Sequence, residues 1–181
     1  MSTLKIKSLS SIAVVPHVAT DGAAALDLSI PNFTTLHELQ EGISQIHTPK
    51  VSEPSTVTAR NRYKHSSKGL SYRVLAGDRI LIKLKISIAI PKGHVGILSS
   101  RSGLGVKKGL TVAQGIGVID SDYRGELMVG LVHTGGDPVT IGPGDRIAQL
   151  MVIDIPHIEV LEVENLDNTK RQEGGFGSTG S

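Results

Sequence analysis

Among the 181 residues there is no cysteine and no tryptophan. Without cysteine, disulfides and thiolate metal sites are excluded, and the redox compartment stays open. Aromatic residues make up only 3%, so a core must be built from Ile, Val, Leu and Ala. No apolar run reaches the length of a membrane span, and the N-terminus lacks the apolar stretch of a signal peptide. The chain therefore reads as soluble and intracellular, cytoplasmic or nuclear, with no membrane partner. A formal net charge of +2 is too small to argue nucleic-acid binding, so nucleic acid is not an expected partner. What remains is a chain long enough for one domain with a sizeable core.

Most of the sequence alternates at period two. Ile82, Leu84, Ile86, Ile88 and Ile90 fall on one face of a strand, with Lys83, Lys85 and Ser87 on the other. Pro91-Lys92-Gly93 supplies a turn before His94–Leu98. Further strands are predicted at Leu110–Ala113, Glu126–His133, Pro138–Ile141 and Gln149–Ile153. Gly135-Gly136-Asp137 and Gly142-Pro143-Gly144-Asp145 mark tight turns. Many short strands with frequent turns predict an all-β barrel or sandwich such as a jelly roll.

Residues from about Asn32 to Tyr72 break that pattern. Leu36, Leu39, Ile43 and Ile46 are spaced for one helical face, with Thr35 and Glu38 as a capping box, so a helix is predicted at Leu36–Ile46 despite Gly42. Then follows the basic run Arg60-Asn61-Arg62-Tyr63-Lys64-His65-Ser66-Ser67-Lys68. The stretch reads as an excursion between strands: a solvated surface loop rather than a nucleic-acid patch, peripheral to any site, its cations without a carboxylate nearby in sequence.

The chain ends Arg171-Gln172-Glu173-Gly174-Gly175-Phe176-Gly177-Ser178-Thr179-Gly180-Ser181. Taken alone, such a Gly/Ser tail is a floppy linker. It nonetheless carries a forked cation, an aromatic ring and two hydroxyls, groups that grip phosphate and stack on a base. Four other segments join it. Ala24-Ala25-Leu26-Asp27-Leu28 sets a carboxylate in an apolar frame, and Arg101-Ser102-Gly103-Leu104-Gly105 offers a cation and a hydroxyl at a helix entrance. Gly117-Val118-Ile119-Asp120-Ser121-Asp122-Tyr123-Arg124-Gly125 places an acid three residues before an aromatic, and Gly144–Leu150 ends a turn with the amide of Gln149. Each piece alone is weak. Together, phosphate grip, a water-activating carboxylate and a ring stack point to hydrolysis of a nucleotide polyphosphate.

In this order the five segments resemble the five motifs of the trimeric dUTPase family. The resemblance implies a jelly-roll subunit spanning residues 1–170, with an insert at about 32–72 longer than the family's usual connection. It also implies a flexible glycine-rich arm at 171–181 that closes the active site. It further implies a homotrimer with active sites shared between subunits, and conversion of dUTP to dUMP and pyrophosphate with Mg²⁺. Such activity keeps uracil out of DNA and supplies dUMP for dTTP synthesis.

Carried over residue by residue, the resemblance makes Asp120 the general base toward the attacking water. Tyr123 would pack under the deoxyribose, and the hairpin around Gly115–Val118, with Gln114, Gly117, Val118 and Ile119, would read uracil. Arg101, Ser102 and Gly103 would hold the β and γ phosphates, and Gln149 the α phosphate. From the arm, Phe176 would stack on uracil, while Arg171, Gly177, Ser178 and Thr179 would meet the γ phosphate. Asp27 would orient a motif arginine. Mg²⁺ would be held by phosphates and water with no direct protein ligand.

Three positions depart from the family pattern. Ala25 replaces a glycine, and the added methyl is expected to be tolerated. Ser100 replaces a proline, so that turn is expected to be less rigid. Gln114 replaces a shorter amide. Two other readings stay open. The related dCTP deaminases share the fold, but their chemistry needs a glutamate where this chain has Gly130. The third is a binding or regulatory protein that uses the insert and only retains the nucleotide site. The insert points to a viral source, and the stop just after the last motif to a trimmed part of a longer protein.

Overall fold

The computed structural model describes residues 2–47, 62–67, 69–170 and 172–173. Among them the order of elements is β1 (Lys5–Ser8), β2 (His17–Val18), β3 (Leu26–Ser29), α1 (Leu36–Gly42), β4 (Ile43–His47), β5 (Tyr63–Ser66), β6 (Gly69–Val74) and β7 (Arg79–Ala89). There follow β8 (His94–Ser100), α2 (Ser102–Lys108), β9 (Leu110–Val112), β10 (Gly117–Ile119), β11 (Glu126–His133), β12 (Val139–Ile141) and β13 (Arg146–Asp154). With two short helices, the fold is all-β, as the alternation predicts. One sheet has the order β1-β7-β11-β9, with β4 also on β7. A second runs β10-β8-β13-β3-β2, and a third β12-β6-β5.

The central strand is β7. Its Ile80, Ile82, Leu84 and Ile86 are buried, because period-two spacing puts them on one face. β11 lies along β7 from Arg79 to Lys83 and again at Ser87, while β4 pairs with its first half and β1 with its last. The alternation is not unbroken. Lys85 takes a positive φ of 57°, the ladder to β11 shifts there, and Glu126 Oε1 accepts the Lys85 N–H at 3.0 Å. Ser87, expected on the solvent side, is buried: Lys7 and Glu126 stand directly opposite it on the two flanking strands.

The predicted helix is shorter than its sequence spacing implied. Thr35 and Glu38 form the capping box at its start, but the helix stops at Gly42, and Ile43 is already extended. The ring of Phe33 lies where a side chain at Gly42 would stand, its Cζ 2.1 Å from an ideal Cβ. The β-branched Ile43 and Ile46 then continue as strand β4 on β7, a tertiary pairing that overrides the helical spacing.

The insert corrects a second expectation. Leu39, Ile43, Leu70 and Tyr72 belong to the main core rather than to a surface loop. Tyr63 meets Tyr72 edge to face at 5.4 Å between ring centres. Arg62, expected on a solvated loop with no carboxylate nearby in sequence, is buried against the distant Asp78 Oδ2, and Asp78 Oδ1 also accepts from Gln45 Nε2 at 3.1 Å. Arg60 and Lys68 lie outside the described residues. After β13, residues 155–170 are exposed and lack helix and strand, and they carry Ile158, Val160, Leu161, Val163 and Leu166. None of the described residues forms a helix long and apolar enough to cross a membrane.

Candidate active site

β3 alternates Leu28, fully buried in the core, with Asp27 on its other face. Pairing in register with Gln149 of β13 and His17 of β2 fixes that strand on both edges. Asp27 is only 7% exposed, yet it is not alone. Its Oδ1 accepts from Arg101 Nε at 2.8 Å, and its Oδ2 from Arg146 Nη1 at 2.9 Å. Arg101 Nη1 also reaches the Arg146 carbonyl at 3.5 Å, so Asp27 and that carbonyl together orient the two guanidinium groups at the cleft.

Arg146 leaves a tight turn closed by Asp145, whose Oδ2 accepts the Gly142 N–H at 2.9 Å, with Gly144 at a φ of 74°. Arg101 leaves β8 through Ser100. That serine was expected to loosen the turn, but its Oγ accepts the Val112 N–H at 2.8 Å, and its carbonyl accepts Gln149 Nε2 at 3.2 Å. Two hydrogen bonds here do the bracing that a proline ring would otherwise do through φ.

Asp27, Arg101, Ser102, Gly103, Arg146 and Gln149 all line one cleft of about 940 Å³, and Ala25 lines it as well. Two arginines and Lys108 face it against two carboxylates, Asp27 and Asp145, both already engaged. The surplus is positive, as an anion site requires.

The other predicted residues gather elsewhere. Gln114, Gly117, Val118, Ile119, Asp120 and Tyr123 line a smaller cavity of about 280 Å³. Its wall is β10, paired with β8 so that Gly117 faces Leu98 and Ile119 faces Gly96. Asp120 is exposed just past that strand, and the Tyr123 N–H donates to its carbonyl at 3.2 Å. Tyr123 Oη donates to the Glu126 carbonyl at 2.9 Å, which sets the ring over Gly125. Gln114 Nε2 sits 3.2 Å from where a Cβ on Gly117 would be, and its Oε1 3.5 Å from the same position on Gly130.

The structure thus divides the predicted residues between two cavities of the chain. Arg171, Phe176, Gly177, Ser178 and Thr179 lie outside the described residues. Sequence reasoning missed Arg146, although a cation directly after Gly142-Pro143-Gly144-Asp145 was the available signal. It also missed Ser66 and Ser67, which line the larger cleft. No sequence pattern marks those two, because the pairing of β6 with β12 brings them there. Among the described residues, no group of three or more His, Asp or Glu converges on a metal position.

A family model described as dUTPase matches residues 65–180. The deoxyuridine 5'-triphosphate nucleotidohydrolase of Alcanivorax borkumensis is 36% identical over 167 residues, covering 92% of this chain and 87% of that protein. The dUTPase of Staphylococcus bacteriophage 80alpha, solved with dUPNHPP, superposes with a TM-score of 0.71 at 23% identity over 99% of both chains. The dUTPase of phage phi11 of S. aureus, described with a structural Mg(II) ion, gives 0.64 at 20% identity over 92% of this chain and 99% of that one. At those identities the two phage structures speak for the fold alone, a jelly roll.

The chain belongs to the dUTPase family. Its activity is that of a dUTP diphosphatase, the hydrolysis of dUTP.

Proposed function

We propose that the chain cleaves dUTP to dUMP and pyrophosphate by water attack on the α phosphorus, in a homotrimer whose sites are shared between subunits. The observation that carries this reading is the division of the site residues. Arg101, Ser102, Gly103 and Gln149 line one cavity, while Asp120 and Tyr123 line another. A site that needs both sets is completed when the larger cleft of one subunit meets the smaller cavity of its neighbour. The exposed apolar side chains of residues 155–170 support an assembly that covers them.

In that site Arg101 and Ser102 bind the β and γ phosphates, with Asp27 holding the Arg101 side chain in place. Gln149 meets the α phosphate. Tyr123 packs under the sugar and leaves no room for a 2′-hydroxyl. Asp120, exposed beside that ring, takes the proton of the attacking water. Gln114 and the backbone of Gly117–Ile119 read the base. The glycine-rich end, 171–181, supplies Arg171, Phe176, Gly177, Ser178 and Thr179 over the bound nucleotide. The donor set of the cleft is arginines, hydroxyls and an amide, with Asp27 already engaged, and it fits Mg²⁺ carried in on the triphosphate rather than on side chains. When bound, the ion offsets negative charge on the phosphates. The dUMP formed would feed dTTP synthesis.

Pyrophosphate release measured with dUTP beside dCTP, dTTP and UTP tests the reading. Turnover confined to dUTP is expected; equal turnover of UTP would remove Tyr123 from sugar selection.

A further inference from the structure

The larger cleft has a wall that no family motif supplies. Its residues Ser66 and Ser67 come from the β5–β6 hairpin and face the same space as Arg101, Ser102 and Gly103. The hairpin is held there from two sides. β6 pairs with β12, placing Tyr72 opposite Ile141 and Arg73 opposite Thr140. Ser71 Oγ also sits only 2.6 Å from where a Cβ on Gly142 would stand, so the hairpin rests on the turn that leads to Arg146.

The tip is braced internally as well. Ser66 Oγ and Ser71 Oγ are 2.7 Å apart, and both lie within 3.3 Å of the Gly69 carbonyl. Those hydroxyls spend their hydrogens inside the hairpin. Ser67 differs: it is exposed at the turn and lines the cleft. A serine hydroxyl is a good donor to a phosphate oxygen, and a braced tip loses little entropy in offering it.

We propose that the β5–β6 hairpin is a further wall of the phosphate cleft, and that Ser67 at its tip donates to the polyphosphate chain and strengthens binding of the triphosphate over the monophosphate. This rests on reading the larger cleft as the triphosphate site. It makes the hairpin a binding element instead of a peripheral loop.

The test uses the full chain and steady-state kinetics with dUTP, beside competition by dUMP. Ser67→Asp puts a negative charge where the phosphates lie, and should raise KM for dUTP roughly tenfold while kcat stays within about twofold. The rise should shrink at high salt, and dUMP inhibition should change by less than about twofold. Ser67→Ala should raise KM by about two- to fivefold, and Ser67→Lys should lower it or leave it unchanged. Thermal melts confirm that each variant folds. A Ser67→Asp enzyme with wild-type KM, or one that loses only kcat, overturns the proposal. Failure of the underlying reading looks different: Arg101→Ala, in the same cleft, would then also leave turnover of dUTP and its KM unchanged.

Discussion

Asp27 grips Arg101 through the guanidinium Nε, at 2.8 Å, and so fixes the side chain by its root rather than by its tip. The second carboxylate oxygen holds Arg146 by the tip instead, through Nη1 at 2.9 Å. One buried acid therefore sets the aim of two cations that line the larger cleft. Asp27→Asn keeps the shape but removes the charge, and its amide nitrogen must turn a donor toward one arginine. A loss of two charge-assisted hydrogen bonds should lower kcat/KM for dUTP by about 10- to 100-fold. Kinetics on a variant with an unchanged melting temperature checks this.

Asp120→Asn should reduce kcat by about 10²–10⁴ while leaving affinity for a non-hydrolysable dUTP analogue nearly intact, since the amide cannot accept the proton. Single-turnover kinetics with calorimetric binding separates the two effects. A variant keeping more than about a tenth of wild-type turnover removes Asp120 from the role of base.

Shared sites predict recovery on mixing. Asp120→Asn and Arg101→Ala are each expected to be nearly inactive, but subunits exchanged between them should rebuild sites that draw Asp120 from one chain and Arg101 from another. Random mixing should restore about a quarter of the sites. If mixing after refolding restores nothing, each subunit builds its site alone.

Arg62→Ala strips the partner from a fully buried Asp78, and removal of one member of such a pair costs about 3–5 kcal/mol. Denaturant unfolding should show that loss. A change under about 1 kcal/mol would mean that the pair contributes little to the fold.

Tyr72 provides a pH test. Burial pushes its phenol above the ordinary value of 10.0, with Asp78 pushing the same way and the Arg62 guanidinium opposing. The folded state holds this proton more tightly than the unfolded chain. The stability it contributes is therefore fully present below about pH 10 and is lost as pH rises through the raised value. Alkaline titration of tyrosinate absorbance should show a late component that Tyr72→Phe removes.

Much of this was legible in the chain itself. Glu126–His133 is a strand with the predicted bounds, and the Thr35–Glu38 box caps a real helix, because both signals are local. Arg101, Ser102, Gly103, Gln149 and Asp27 do share a cleft. What failed depends on partners distant in sequence. Ile43 and Ile46 have helical spacing, yet β7 offers them a strand edge. Arg62 looked like a solvated cation, because Asp78 lies beyond two intervening strands. Ser66 and Ser67 carry no pattern at all; only the pairing of β6 with β12 brings them to the cleft.

Asp78 has one more consequence. Gln45, near the end of β4, and Arg62, just before β5, both reach its carboxylate, so a single side chain clasps both ends of residues 48–61. Asp78 is therefore a staple between elements that do not pair with each other: its loss should loosen β4 and the β5–β6 hairpin together, and with the hairpin one wall of the larger cleft.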